Sequence, residues 1–372
     1  MKIGCPKEIK NNEFRVGLTP GAVAAYVDAG HEVAIEKGAG LGSAITDEEY
    51  KAAGAKILGS AEEVWKFADM LVKVKEPLEE EYSRMKENQL VYTYFHFAAD
   101  RPLLDACIKS KIIAMAYETV QEGRSLPLLK PMSEVAGRMA IIMGAFYSAK
   151  SQGGRGLLPN GVTGVEAANV VILGGGNVGA NAAKAAAGFG CNVTVFDVNL
   201  PRLEYLGEVL PANVKGIYND PLSLEKYLRT ADIVIGSALI PGAKTPKIIT
   251  KAHLKLMKPG AVLVDVAIDQ GGCFETSKPT KHDHPIFEVD GIIHYCVANM
   301  PGAYARTSTY ALCNATTSYG LQLAGKGVEK ACRENPAILC GLNTYKGKIT
   351  YPGVAEAFGL QLEDASGVVK GA

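Results

Sequence analysis

The chain has 372 residues, 48% hydrophobic and 21% charged, with 39 lysines and arginines set against 39 aspartates and glutamates. That length suggests two or three globular domains with ample core. The balanced charge offers no global field for nucleic acid or an anionic membrane, and no unbroken apolar run nears the ~20 residues that span a bilayer.

The opening, MKIGCPKEIKNNEF, carries no apolar stretch of the signal-peptide kind. The eight cysteines are scattered without a C-x-x-C pair, and Cys5, Cys191 and Cys296 fall in apolar runs. Reduced thiols in a cytoplasmic protein are therefore expected. Strand-like runs at 2–5, 31–35, 70–74, 90–95 and 112–116 alternate with helical segments. The first helix is marked by Thr19 as N-cap, Pro20 at its first position and Gly30 as terminator. Others are expected at 47–53, 61–67 and 101–109. Such alternation implies a mostly parallel sheet covered on both faces, with ligands beyond the carboxyl ends of its strands.

Two of those ends carry chemistry. Period-two alternation over 71–75 puts Lys73 and Lys75 on one face, just before Glu76-Pro77. The run 90–95 stops at His96. A cation and an imidazole at adjacent strand ends can bind a carboxylate and move a proton. The plainer alternatives are a snorkelling lysine and a hydrogen-bonded loop histidine. Arg15, in a polar segment, reads by itself as a solvated loop arginine.

After a loop at 121–131, PMSEVAGRMAIIMGAFYSAK predicts one long helix, with Ser133 as N-cap and Met139, Ile142, Met143 and Phe146 at core-facing spacing. A glycine-rich loop, 153–164, leads into VVILGGGNVGANAAKAAAGFGCNVTVFD at 170–197, which reads as strand, tight turn, helix, strand. Gly174, Gly176 and Gly179 occupy the G-x-G-x-x-G positions. They respectively permit the turn, let backbone approach a pyrophosphate, and let the helix pack on the sheet. The helix N-terminus offers free N–H groups to the diphosphate. Asp197 ends the next strand roughly 20 residues on, the place of a carboxylate that binds the adenosine ribose and repels the extra phosphate of NADP. NAD is therefore favoured, with Arg202 close by.

Strands are expected at 233–236 and 261–265, with a Pro/Gly loop at 239–246 and a helix at 251–257. Asp265 and Asp269 flank Val266-Ala267-Ile268 beyond a buried strand, making Asp269 a candidate proton handler or a loop-capping aspartate. The strand 292–297 runs into Asn299-Met300-Pro301-Gly302. His282-x-His284 lacks a third ligand nearby, so no metal is expected. A helix at 310–324 precedes a segment too short to be a domain, which should pack back on the first part. The expected fold is α/β, with two Rossmann-like, doubly wound parallel-sheet domains. A substrate domain of residues 1–130 and 307–372 is interrupted by an NAD-binding domain, 131–306.

The stretches IGCPKEIKNNEFRVGLTP, VKVKEP, the strand ending in Phe95-His96, PMSEVAGRMA, ILGGGNVG, the Asp269 loop, HYCVANMPG and GLNTYKGK resemble the alanine dehydrogenase family, essentially end to end. The resemblance implies reversible, NAD-dependent oxidative deamination of L-alanine to pyruvate and ammonia by a soluble homohexamer. It implies substrate binding by Arg15 and by Lys75, the lysine directly before Glu-Pro. It makes His96 the acid/base and Asp269 the second catalytic residue. Ser133, Asn177, Val178, Asp197, Arg202, Leu239, Ile268, Asn299 and Met300 align with positions lining the cofactor. Lys278 stands where the family is expected to have an arginine, whose bidentate geometry a lysine lacks. Asp220 stands where serine is commoner near the adenine. Two rivals share parts of this pattern. The NAD(H)-binding portion of a transhydrogenase needs no carboxylate clamp, and a non-catalytic NAD sensor has no use for Arg15, Lys75, His96 and Asp269 together.

Overall fold

The protein's structure, a computed structural model, describes residues 1–238 and 245–370. It divides into two compact units: Met1–Met132 with Gly302–Ala372, and Ser133–Pro301. The first unit opens with β1 (Lys2–Cys5), β2 (Glu32–Glu36), β3 (Lys56–Leu58), β4 (Met70–Val72), β5 (Leu90–Thr93) and β6 (Ile113–Ala116). The second contains β7 (Asn169–Leu173), β8 (Asn192–Asp197), β9 (Val214–Tyr218), β10 (Ile233–Gly236), β11 (Val262–Asp265), β12 (Ile286–Val289) and β13 (Ile292–Tyr295). The chain then returns to the first unit for β14 (Leu342–Tyr345) and β15 (Lys348–Ile349).

The first sheet runs β15-β14-β6-β5-β4-β1-β2-β3 and the second β12-β13-β11-β10-β7-β8-β9. Pairing is parallel except for β14 and β15 at one edge and β12 at the other sheet's edge. Within each unit the parallel strands follow the same doubly wound order, which reverses between β1 and β4 in the first and between β7 and β10 in the second. Those reversals are where sheets of this kind open a crevice at their carboxyl ends. The α/β, doubly wound class expected from the sequence is the class observed.

Local sequence explains most element ends. Thr19 accepts from the Ala22 N–H, Pro20 begins the helix Pro20–Asp28, and Gly30 follows it with φ 82°. Buried alanines at 182, 183, 186 and 187 form the inner face of the helix Asn177–Gly188. Seven of the eight cysteines are buried, Cys340 is exposed, and none among the described residues is in a disulfide.

Two expectations for the long helix are corrected. It spans Lys130–Tyr147, so Ser133 lies inside it rather than capping it. The reason is Pro131, whose fixed φ and missing N–H suit a first turn and start the helix early. The inner face is also different: Ala136, Met139, Ala140 and Ile141 are buried, while Ile142 and Phe146 are 38% and 52% exposed. Close approach selects the small side of this helix. A Cβ on Gly137 would lie 2.2 Å from the Val178 carbonyl oxygen, and one on Gly144 would lie 2.7 Å from Ile233. No side chain fits at positions 137 and 144 without displacing these neighbours.

The C-terminal segment completes the first sheet. β14 pairs antiparallel with β6 although Asn343 and Thr344 are polar and buried. Asn343 offsets its desolvation by donating to Thr119 Oγ1 at 2.7 Å and to the Gly341 carbonyl at 3.1 Å.

Candidate active site

In the first unit the predicted residues lie just past the carboxyl ends of β1, β4 and β5. Arg15 is only 2% exposed. Its Nε and Nη2 donate to the two carboxylate oxygens of Glu13 at 2.7 and 2.6 Å, and its Nη1 lies 3.0 Å from Met132 Sδ. Burial disfavours the guanidinium charge, but the hydrogen bonds and charge of Glu13 more than compensate and leave its pKa raised. Arg15 is therefore a buried cation fixed in direction, not a solvated loop residue.

The two lysines that looked equivalent in the sequence are not. β4 ends at Val72, and the following residues leave the strand. Lys73 is fully buried between Glu81 at 2.9 Å and Glu8 at 3.3 Å. Lys75 is half-buried and its ammonium makes no ion pair among the described residues. Burial, and next the charge of Arg15, lower its pKa. Its backbone is held from below: Glu8 accepts from the Val74 N–H at 2.6 Å and the Lys75 N–H at 3.3 Å. Lys10 pairs with Glu76 alongside. The segment thus presents one desolvated ammonium coupled to a rigid guanidinium, with burial and Arg15 outweighing the attraction of Glu76 and Glu13. That is the electrostatic setting of an anion site.

His96 follows β5 on the neighbouring strand end and is exposed. It adopts left-handed φ 52° and ψ 36°. Its ring stacks on Tyr94 with centroids 5.8 Å apart and planes 12° apart. Tyr94 is anchored by donating to the Leu128 carbonyl at 2.6 Å. Arg15, Lys75 and His96 thus share one end of one sheet.

The second unit carries the glycine loop between β7 and the helix Asn177–Gly188. Gly174 has φ +98°, and a Cβ there would lie 2.8 Å from the Ala238 backbone. A Cβ on Gly179 would lie 1.8 Å from the Gly174 carbonyl oxygen, so the helix packs on the loop only without a side chain. A Cβ on Gly176 would meet nothing within 4 Å. Gly176 is the helix N-cap and, being a glycine, has no side chain to cap the first-turn N–H groups of Asn177, Val178 and Gly179. These features fit a diphosphate approaching the loop backbone.

Asp197, at the end of β8, accepts from the Gly175 N–H at 2.6 Å through one oxygen and from the Asn199 N–H at 2.9 Å through the other. Arg202 Nε donates to the Gly175 carbonyl at 2.6 Å. Asp197 and Arg202 are therefore gathered with Gly174, Gly176 and Gly179 in one cluster. Asp220 accepts from the Ser223 N–H at 3.0 Å as the N-cap of the helix Pro221–Leu228, which gives it a local reason to be there.

Asp269 and Ile268 share the short 3-10 turn Ile268–Gln270 beyond β11, with Asp269 exposed and Ile268 buried. Asp265, fully buried, holds this loop by accepting from the Ala267, Cys273 and Phe274 N–H groups and from the Ser277 hydroxyl. Burial nonetheless raises its pKa. Lys278 is exposed, its ammonium 5.1 Å from the Phe287 ring centroid. Asn299 is left-handed with φ 59°, and Met300 is 3% exposed at the start of the turn Met300–Tyr304. Ser133 and Val178 are half-buried on their helices. Leu239 lies outside the described residues.

The supporting carboxylates were not visible in the sequence. Nothing in the sequence singles out Glu8, Glu13 or Glu118, and only the tertiary fold shows what they hold.

Models of the alanine dehydrogenase/PNT N-terminal and C-terminal domains match residues 4–136 and 140–352. The chain belongs to the alanine dehydrogenase/PNT family. An alanine dehydrogenase of Methanococcus maripaludis is 56% identical over 362 residues, covering 97% of each chain. One from Mycobacterium tuberculosis is 50% identical over 370 residues, covering 99% of this chain and 100% of the relative. A solved L-alanine dehydrogenase superposes with TM-score 0.94 at 46% identity, covering 96% of this chain and 99% of that one. The transhydrogenase from Sinorhizobium meliloti superposes with TM-score 0.82 at 26% identity, covering 95% and 99%. The alanine dehydrogenase/PNT C-terminal match extends to residue 352, past Pro301, so it includes β14 and β15, which belong to the first unit's sheet.

Proposed function

We propose that this member of the family oxidatively deaminates L-alanine to pyruvate and ammonia with NAD, and catalyses the reverse reductive amination. The observation that carries the reading is Lys75: a desolvated ammonium with no ion pair among the described residues, its pKa lowered by burial and by Arg15, a guanidinium locked by Glu13, one strand from His96. Two cations in that arrangement suit the carboxylate of a small amino or keto acid. A hydride exchange between two nicotinamides has no use for them, which favours the dehydrogenase over the transhydrogenase reading. The 50–56% identity to alanine dehydrogenases points the same way.

In this reading the first unit binds substrate and the second binds the dinucleotide. Gly174, Gly176 and Gly179 admit its diphosphate, while Asn177 and Val178 present first-turn N–H groups. Asp197 faces the adenosine ribose, flanked by Arg202. Ser133, Ile268, Lys278, Asn299 and Met300 line the remainder. When bound, NAD would supply the acceptor for the hydride that alanine Cα loses. Arg15 and Lys75 neutralise and orient the substrate carboxylate. His96 takes a proton from the water that adds to the resulting iminium carbon and returns it to the departing amine. Asp269 orients that water and favours the cationic iminium. The enzyme is proposed to act in the cytoplasm as a homohexamer. Purified protein given NAD and L-alanine, without a second pyridine nucleotide, should produce NADH and pyruvate in equal amounts. Absence of NADH under those conditions would rule the reading out.

A further inference from the structure

The left-handed backbone of His96 raises a question that the reaction itself does not answer: what holds it there? A residue with a β-carbon is disfavoured at φ 52° unless its surroundings fix it. β5 ends at Thr93, and its neighbour β6 ends at Ala116 before the chain turns into the 3-10 segment Tyr117–Thr119. Beyond those ends, among the described residues, no backbone carbonyl accepts from the amides of Phe95 and His96. Glu118 supplies the acceptor instead. Its carboxylate takes the His96 N–H at 2.7 Å and the Phe95 N–H at 3.1 and 3.3 Å. On its other side His96 accepts the Ala99 N–H at 3.0 Å, which starts the turn Phe97–Ala99. The ring is in contact with Tyr94, and none of its nitrogens is in a hydrogen bond among the described residues. The direction of the imidazole is therefore set by its backbone and by Tyr94, not by a partner on the ring.

We propose that Glu118 is a positioning residue: its carboxylate clamps the backbone amides of Phe95 and His96 and thereby aims the His96 imidazole. The proposal rests on the reading of His96 as the acid/base. The clamp works through hydrogen-bond acceptance rather than through charge felt by the ring. A glutamine, whose carbonyl oxygen can still accept from the amides, should largely replace it.

The test combines steady-state kinetics with hydrogen-exchange mass spectrometry on wild type, Glu118→Ala, Glu118→Gln, His96→Ala and the double Glu118→Ala/His96→Ala variant. Glu118→Ala should lower kcat between about 10- and 100-fold, the range for a misplaced reacting group. NADH affinity and the pH dependence of the residual rate should stay those of wild type. Glu118→Gln should recover most of the rate. The peptide containing Phe95 and His96 should exchange faster in Glu118→Ala and near normally in Glu118→Gln. In the His96→Ala background the second substitution should cost nothing more. Unchanged exchange in Glu118→Ala, or rate losses that multiply in the double variant, would overturn the clamp. Full turnover by His96→Ala would instead remove the acid/base reading, and the exchange data would still decide whether Glu118 holds the segment.

Discussion

Lys73 and Lys75 stand two residues apart and have opposite electrostatic fates: Lys73 is sealed between Glu8 and Glu81, and Lys75 makes no ion pair among the described residues, its pKa lowered by burial and by Arg15. The first is a structural cation that fixes the end of β4. In the proposed function the second binds the substrate carboxylate, so one backbone segment would separate holding from binding.

Replacing them should give unlike phenotypes. Lys73→Met leaves Glu8 and Glu81 as uncompensated buried carboxylates, a change that costs about 3–5 kcal/mol in comparable sites. Urea denaturation should show that loss. Lys75→Met removes an unfavourably desolvated charge, so the fold should be unharmed or slightly stabilised while activity with alanine is lost. Equal stability losses for the two variants would refute this division of roles.

The pH dependence of carboxylate binding follows from the direction of the Lys75 shift. Burial and Arg15 lower its pKa beneath the ordinary lysine value of about 10.4. Only the protonated ammonium attracts a carboxylate. Pyruvate affinity should therefore be full below that lowered value and fall as pH rises through it, earlier than a free lysine would allow. Lys75→Arg keeps its charge across the range, so whatever affinity it retains should show no such alkaline limb. An identical limb in that variant would place the titration elsewhere.

The glycines of the dinucleotide loop separate folding from binding. Gly179→Ala drives a Cβ to within 1.8 Å of a backbone oxygen and should reduce thermal stability markedly. A Cβ at Gly176 meets no protein atom within 4 Å, so Gly176→Ala should fold normally. It should nevertheless weaken NADH binding by occupying the diphosphate's approach. Thermal melts and NADH fluorescence titrations read the two effects apart. Normal NADH affinity in Gly176→Ala would move the diphosphate away from this loop.

Asp197 governs the choice between NAD and NADP in this account. Its carboxylate already braces the Gly175 and Asn199 amides, so it is rigid as well as negative. Asp197→Asn removes the repulsion while keeping a neutral oxygen, with Arg202 nearby to welcome a phosphate. The ratio of kcat/KM for NAD over NADP should fall at least tenfold, about 1.4 kcal/mol. An unchanged ratio would show that cofactor choice is set by other residues.

Much of the fold was legible because hydrophobic runs and caps are local signals. Thr19, Pro20 and Gly30 delimit a helix without reference to anything distant, and the 170–197 stretch carries strand, turn, helix and acid in one span. What failed was decided at long range. The polar strand β14 is stabilised by Thr119 and by pairing with β6, neither of which its own sequence reveals. The long helix sets Gly137 and Gly144 against Val178 and Ile233, with Met139 and Ile141 buried beside them and Ile142 and Phe146 outside. Lys75 and His96 stood out as candidates from their strand ends, and Arg15 only through the family resemblance. Glu13, Glu8 and Glu118 did not, because a carboxylate that orients another residue looks in sequence like any surface acid.

The central claim is that His96 moves the protons of alanine oxidation while standing apart from dinucleotide binding. The most direct measurement is turnover of L-alanine with NAD by His96→Ala, paired with NADH fluorescence titration of the same preparation. The account predicts loss of nearly all NADH production, with NADH affinity within about twofold of wild type. Wild-type turnover by that variant would contradict it.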